Sequence, residues 1–177
     1  MAVVPYVRAT HSDGQSWSAA KANLLEAGVN DVSYAPAVRV THNTTQSITS
    51  ATETTVAFNT ERFDQAGNAA DTQHDTVTNN SRLTCRYAGV YQITANVQWN
   101  AAVSGEVYIR LRLNGATNIA MHGYATGVDY RYMGISTLYA LAVNDYVEVR
   151  VKQSSGGAVL VNNPANESPD FMMVRVG

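Results

Sequence analysis

From Arg82 to Trp99, polar and apolar residues alternate over a longer run than anywhere else in the chain. Beyond Gly89, the residues Tyr91, Ile93, Ala95, Val97 and Trp99 fall on one face, and Gln92, Thr94, Asn96 and Gln98 on the other. A period of two marks a half-buried strand, because a helix would scatter the same residues around its circumference. Ala88 and Gly89 interrupt the run where the backbone must bend, so Leu83 to Tyr87 reads as the preceding strand. The apolar face is expected between two sheets, with Gln92, Asn96 and Gln98 turned to solvent or to a neighbouring subunit.

The same alternation recurs downstream. Val107, Ile109, Leu111 and Leu113 alternate with Tyr108, Arg110 and Arg112 in a strand over Glu106 to Leu113, after a connection at Asn100 to Gly105. Asn114-Gly115 follows, a pair that tolerates the positive φ of a tight hairpin turn, and Thr117 to His122 is the returning strand. In Tyr130 to Ala142, Met133, Ile135, Thr137, Tyr139 and Leu141 share a face. Asn144-Asp145 turns the chain into Tyr146 to Lys152, where Val147, Val149 and Val151 alternate with Tyr146, Glu148 and Arg150. Ser154 to Gly157 makes another turn, Ala158 to Val161 reads as a short strand, and Phe171 to Val176 closes the pattern after a loop punctuated by Pro164 and Pro169. Upstream, Ala37 to His42 is the first strand, Val56, Phe58 and Phe63 mark a second with a bend, and Asp64 to Asn80 is a polar loop. About eight to ten short strands joined by turns predict an all-β antiparallel sandwich, with a jelly roll as the leading version.

Residues 1–36 follow a different pattern. Met1 to Arg8 is a short apolar arm kept extended by Pro5. Ser16 is placed to cap a helix whose Trp17, Ala20, Leu24 and Ala27 recur at helical spacing until Gly28, about three turns. A helix this short needs to dock, either onto its own domain or onto another protein. The expected organisation is a leader over 1–36 and a jelly-roll domain over 37–177.

Composition narrows the partners. Charged residues make up 15% of the chain, the net charge is −2, and ten Arg and two Lys are spread along the sequence without clustering. Nucleic acid needs a concentrated positive field and is not expected as the main partner. Neither a secretory signal nor a membrane-spanning run is legible, so no membrane association is expected. Ten Tyr against three Phe favours sheet surfaces that meet other subunits. Cys85, the only cysteine, alternates with Leu83 and Tyr87 and reads as a small buried hydrophobe.

Four segments, in order, resemble the complement globular-head and tumour necrosis factor type of trimeric jelly roll. They are AGVYQITANVQW at Ala88 to Trp99, VYIRLRLNG at Val107 to Gly115, LYALAVNDYVEVRV at Leu138 to Val151, and SPDFMMVRV at Ser168 to Val176. The resemblance spans about Ala37 to Gly177 and implies a homotrimer packed around a three-fold axis. Asn144 departs from it where a Gly often precedes the Asp, a change a turn absorbs. With no collagen-like repeat or membrane anchor legible, an animal complement or cytokine role does not carry over. The leader segment DGQSWSAAKANLLEAGV, Asp13 to Val29, is similar to a segment found near the N-termini of bacteriophage tail and virion proteins.

Together the two resemblances imply a bacteriophage virion protein on the outside of the particle, made in the host cytoplasm. The leading version is a homotrimeric capsid decoration protein whose leader binds the major capsid protein or another virion protein through Val3, Val4, Tyr6, Trp17, Leu24 and Leu25. The alternative is a tail-fibre or tail-tip module that binds a receptor or host-surface glycan, with Tyr124 as a sugar-stacking residue. The expected trimer-interface residues are Gln92, Asn96, Gln98, Tyr108, Arg110, Arg112, Tyr130 and Tyr132. For the arginines there are two readings, solvated strand positions or partners for an anion or for Glu106 or Glu148 across a subunit boundary.

Catalytic signatures are missing. Gly134 to Leu138 lacks the second Gly of a nucleophile elbow, so Ser136 reads as a strand residue, and Gly156-Gly157 lacks the Lys and Ser/Thr of a phosphate loop. His11, His42, His74 and His122 have no metal-ligand spacing. No enzyme activity and no cofactor are expected. The one candidate cation site is the loop with Asp64, Asp71, His74 and Asp75, whose oxygens suit calcium; the competing reading is a solvated loop with Asp turns. Asn43, Asn79 and Asn166 begin glycosylation triplets at a frequency that this Asn-, Ser- and Thr-rich composition produces by chance.

Overall fold

The computed structural model describes residues 35–65, 71–103, 105–124, 130–164 and 167–177, together with Ala20, Lys21, Asn23 and Leu25 in the leader. The chain divides into two units, Met1–Ser33 and Tyr34–Gly177. In the first unit the four described residues are helical and exposed.

Among its described residues the second unit carries twelve strands: β1 (Ala37–Thr41), β2 (Gln46–Ile48), β3 (Thr54–Thr55), β4 (Thr60–Gln65), β5 (Arg82–Thr84), β6 (Gly89–Val103), β7 (Val107–Leu113), β8 (Thr117–Tyr124), β9 (Tyr130–Leu141), β10 (Tyr146–Gln153), β11 (Val159–Asn162) and β12 (Asp170–Arg175). They form two antiparallel sheets. The first runs β2-β11-β6-β12-β1-β4, with β9 also paired to β6; the second runs β3-β10-β7-β8, with β5 paired to β10. The all-β sandwich expected from the sequence is the observed architecture.

The hydrophobic effect holds the two sheets face to face. Val38, Val40, Tyr91, Ile93, Ala95, Val97, Trp99, Met133, Ile135, Phe171 and Met173 of the first sheet meet Leu83, Val107, Ile109, Leu111, Val147, Val149 and Val151 of the second in one core. Trp99, Tyr91 and Phe58 are fully buried. Replacing such a large core aromatic with Ala typically costs about 3–5 kcal/mol. Phe58 reaches the core from the segment after β3 and packs on Phe171, ring centroids 5.4 Å apart.

Some boundaries differ from the sequence reading. β6 does not stop near Trp99: Gln98 and Trp99 pair with β11, and after a register shift Val103 pairs with Tyr130, so Asn100 to Val103 stays strand. β5 is only three residues long, and Leu83 to Tyr87 is not one strand. The N–H groups of Thr84 and Cys85 donate to the carbonyls of Gln73 and Asp145, which bends the chain there. The strand expected at Val56, Phe58 and Phe63 is placed differently: Val56 and Phe58 fall between β3 and β4, while Phe63, 49% exposed, sits on edge strand β4, which also takes in Asp64 and Gln65 from the expected loop. β2 and β3 lie in a Thr/Ser-rich stretch with no alternation and are made by pairing with the distant β11 and β10.

Candidate functional site

Each sheet has an outward face, and the two faces differ in chemistry. On the first sheet the strand register sets side chains in rows: Gln65, Ala37, Val174, Gln92 and Leu138; then Phe63, Arg39, Met172, Thr94 and Ser136; then Thr60, Thr41, Asp170, Asn96 and Gly134. Gln98 and Tyr132 are neighbours at the end of β6 and β9. Leu138 and Tyr132 are 63% and 68% exposed on this face. In these three rows the only charges are Arg39 and Asp170, and they bind each other. Thr94 and Ser136 hydroxyls meet at 2.9 Å, and Gln98 Nε2 donates to Tyr132 Oη at 2.9 Å. Depletion of charge is the feature this face shares with the cores of protein interfaces.

The outward face of the second sheet is ionic. Arg110 Nη1 donates to Glu53 Oε1 at 2.6 Å and Arg112 Nη1 to Glu53 Oε2 at 2.9 Å. Tyr108 Oη donates to Glu53 Oε1 at 3.1 Å, and burial, with this bond second, pushes the phenol pKa up. Glu148 accepts Arg82 Nε at 3.1 Å and Arg150 Nη2 at 3.4 Å. The Arg110 and Lys152 cations lie over the Tyr108 ring, and Arg82 lies 4.0 Å from the Tyr146 centroid.

The expected interface residues therefore divide between two surfaces. Gln92, Asn96, Gln98 and Tyr132 share the first sheet's outward face, but Tyr108, Arg110 and Arg112 sit on β7 in the other sheet. One face cannot hold all of them, because the alternation of β7 buries its Val and Leu side against the same core from the opposite direction. Within the chain, Glu53 takes both Arg110 and Arg112, and Glu106 binds Lys152 at 2.7 Å. Glu53 was not singled out by sequence. Its signal was faint: Arg39 and Glu53 are the only charged residues from Ala37 to Thr60.

Of the attachment residues, Val3, Val4, Tyr6, Trp17 and Leu24 lie outside the described residues, as do His11, Asn166 and the Tyr130 side chain; Leu25 is helical and 51% exposed. The acidic loop spends its carboxylates on protein donors. Asp64 accepts the N–H groups of Gln73 at 2.7 Å and His74 at 3.0 Å, and burial pushes its pKa up against those bonds. Asp71 accepts the Tyr87 hydroxyl, and Asp75 caps Val77 and Thr78, whose N–H groups hold its pKa down. Among the described residues no three His, Cys, Asp or Glu groups converge to hold a metal ion. His74 is buried between Glu61 Oε1, 3.0 Å from Nδ1, and the Asn80 carbonyl, 3.1 Å from Nε2. His122 reaches the Gly134 carbonyl at 2.8 Å, and Tyr124 packs edge-on against the His122 ring. Cys85 is buried, its Sγ donating to the Tyr87 carbonyl, and burial pushes its thiol pKa up.

No protein-family model matches the chain, and no curated protein matches it. Solved structures do. Murine APRIL is similar with a TM-score of 0.59 and 10% identity, over 80% of this chain and 99% of that one. Eiger TNF from S. frugiperda is similar with a TM-score of 0.57 and 12% identity, over 81% and 93% of the two chains. The globular domain of the zebrafish complement 1qA protein is similar with a TM-score of 0.52 and 17% identity, over 80% and 98%. At these identities the likeness speaks to backbone architecture, and that architecture is the jelly roll of the tumour necrosis factor and complement globular-head type.

Proposed function

We propose that this chain is a non-enzymatic structural protein that assembles as a homotrimer through the outward face of the first sheet. The observation that carries this reading is the face itself: three register rows five strands wide whose one charged pair, Arg39 and Asp170, is joined to itself, with Leu138 and Tyr132 left open. The number three rests on the resemblance to trimeric jelly rolls. The resemblance of Asp13 to Val29 to phage virion segments supports capsid decoration as the role, with the leader attached to the major capsid protein or another virion protein. Three leaders presented together bind far more tightly than one, so each contact can be weak. The tail-fibre or tail-tip reading would instead place receptor or glycan recognition on surfaces away from this face.

Sedimentation velocity tests the assembly. The full chain is expected at three times its 19.1 kDa mass. Leu138→Lys, which puts an unpaired ammonium into the charge-depleted face, is expected to shift the protein to monomer with its fold intact by circular dichroism. A wild-type protein that stays monomeric at micromolar concentration would sink the reading.

A further inference from the structure

Three guanidinium groups on the outward face of the second sheet share one carboxylate that has too few oxygens for them. Glu53 Oε1 takes Arg110 and Tyr108, and Oε2 takes Arg112, leaving Arg150 Nη1 at 3.8 Å from Oε2. The Nη2 of Arg110 ends on the thioether of Met121 at 3.2 Å, a weak acceptor. The Nε atoms of Arg110, Arg112 and Arg150 are all buried with no hydrogen-bond partner. Arg110 and Arg150 stand directly opposite each other across β7 and β10, a like-charge pairing that costs stability without an anion between them. Glu148 serves Arg82 and Arg150, so four arginines meet two carboxylates. The patch has an excess of two positive charges, in a chain whose net charge is −2.

We propose that this cluster is a binding site for a tetrahedral oxyanion, phosphate or sulfate, and that Glu53 is its tethered internal occupant. A planar carboxylate offers two oxygens to three guanidinium groups, whereas a phosphate or sulfate offers three or four, each able to accept more than one N–H. Glu53 sits just before the two-residue strand β3, beside exposed Ala51 and Thr52, so its side chain can yield its place without dismantling a long strand. The site faces away from the proposed trimer surface and stays open in an assembly built through the first sheet. The same chemistry is presented by a free oxyanion and by a phosphate or sulfate ester on a saccharide.

Isothermal titration calorimetry on the full chain at low ionic strength tests the site, with inorganic phosphate, inorganic sulfate and glucose 6-phosphate as probes. Wild-type protein is expected to bind phosphate weakly. Glu53→Gln removes the competing charge and is expected to tighten binding by about tenfold. The double variant Arg110→Gln, Arg112→Gln is expected to lose at least about tenfold, with a melting curve confirming that it is folded. Arg150→Gln leaves both short Glu53 bonds in place and is expected to weaken phosphate binding as well, which keeps the test independent of whether the Glu53 variant folds. Tighter binding of glucose 6-phosphate than of inorganic phosphate assigns the site to saccharide-borne groups, and equal binding to the free anion; both uphold the site. It is overturned if wild-type protein shows no heat with any of the probes, or if binding persists unchanged in the folded arginine variants. Neither result bears on the sedimentation test of the trimer.

Discussion

At the scale of single residues, an aspartate of β4 and one of the loop that follows it answer the same change in pH with opposite sign. Asp64 is half-buried, and desolvation raises its pKa despite the N–H groups of Gln73 and His74 that favour its charged form; the nearby Glu61 carboxylate adds to the rise. A carboxyl group whose folded pKa lies above its unfolded value of about 3.9 stabilises the fold fully below that value, and the contribution is lost as pH rises through the folded pKa. Asp75 is exposed and caps Val77 and Thr78, so its lowered pKa gives stability at higher pH that is lost on acidification. Asp64→Asn removes the first contribution, and its side-chain oxygen can still accept both backbone N–H groups. The expected outcome is that Asp64→Asn gains stability relative to wild type as pH rises from about 3.5 towards neutrality. Urea unfolding midpoints of the two proteins across that range check it, and a constant difference would show that burial does not control Asp64.

Strand and turn are the next scale, where the β7–β8 hairpin depends on a residue outside it. Asn114 and Gly115 adopt φ of 50° and 67°, the positive values that the Asn-Gly pair leads one to expect. Asn114 also clamps the hairpin to the β9–β10 turn: its Nδ2 donates to Asp145 Oδ1 at 2.8 Å and its Oδ1 accepts the Tyr146 N–H at 2.9 Å. Asn114→Asp replaces that donor with a second carboxylate facing the first. It is expected to cost about 1–2 kcal/mol near neutral pH and to recover when acid protonates one of the pair. Thermal melts at neutral and acid pH check this, and an equal loss at both would assign the cost to turn geometry. The hairpin was legible because its cause is local, two residues that tolerate positive φ. The clamp was not, since Asp145 lies 31 residues away. The same difference separates β6, β7, β9 and β10, whose alternation spells them out, from β2 and β3, which exist only through partners β11 and β10. It also separates Gln92, Asn96, Gln98 and Tyr132, whose positions opposite the core side of their own strands follow from local periodicity, from Arg110 and Arg112, whose partner Glu53 comes from a stretch with no pattern. Alternation tells which side of a strand a residue takes but not which sheet the strand joins.

For the whole molecule, the two units make separable demands. Among the described residues, the buried core of both sheets lies within the second unit, and the proposed association face and arginine cluster do too. If attachment resides in the leader, removing Met1–Ser33 should take away one property and leave the others. The truncated chain is expected to keep the melting transition and sedimentation coefficient of a trimer, corrected for its lost mass, while losing the co-sedimentation with phage particles that the proposed role predicts for the full chain. Because avidity multiplies three weak contacts, the loss should be steep, on the order of a hundredfold or more in apparent affinity. Truncation that leaves co-sedimentation intact would move attachment onto the jelly roll. The arginine cluster would then be the first surface to mutate, since it is the charged face that a trimer built through the other sheet leaves outward.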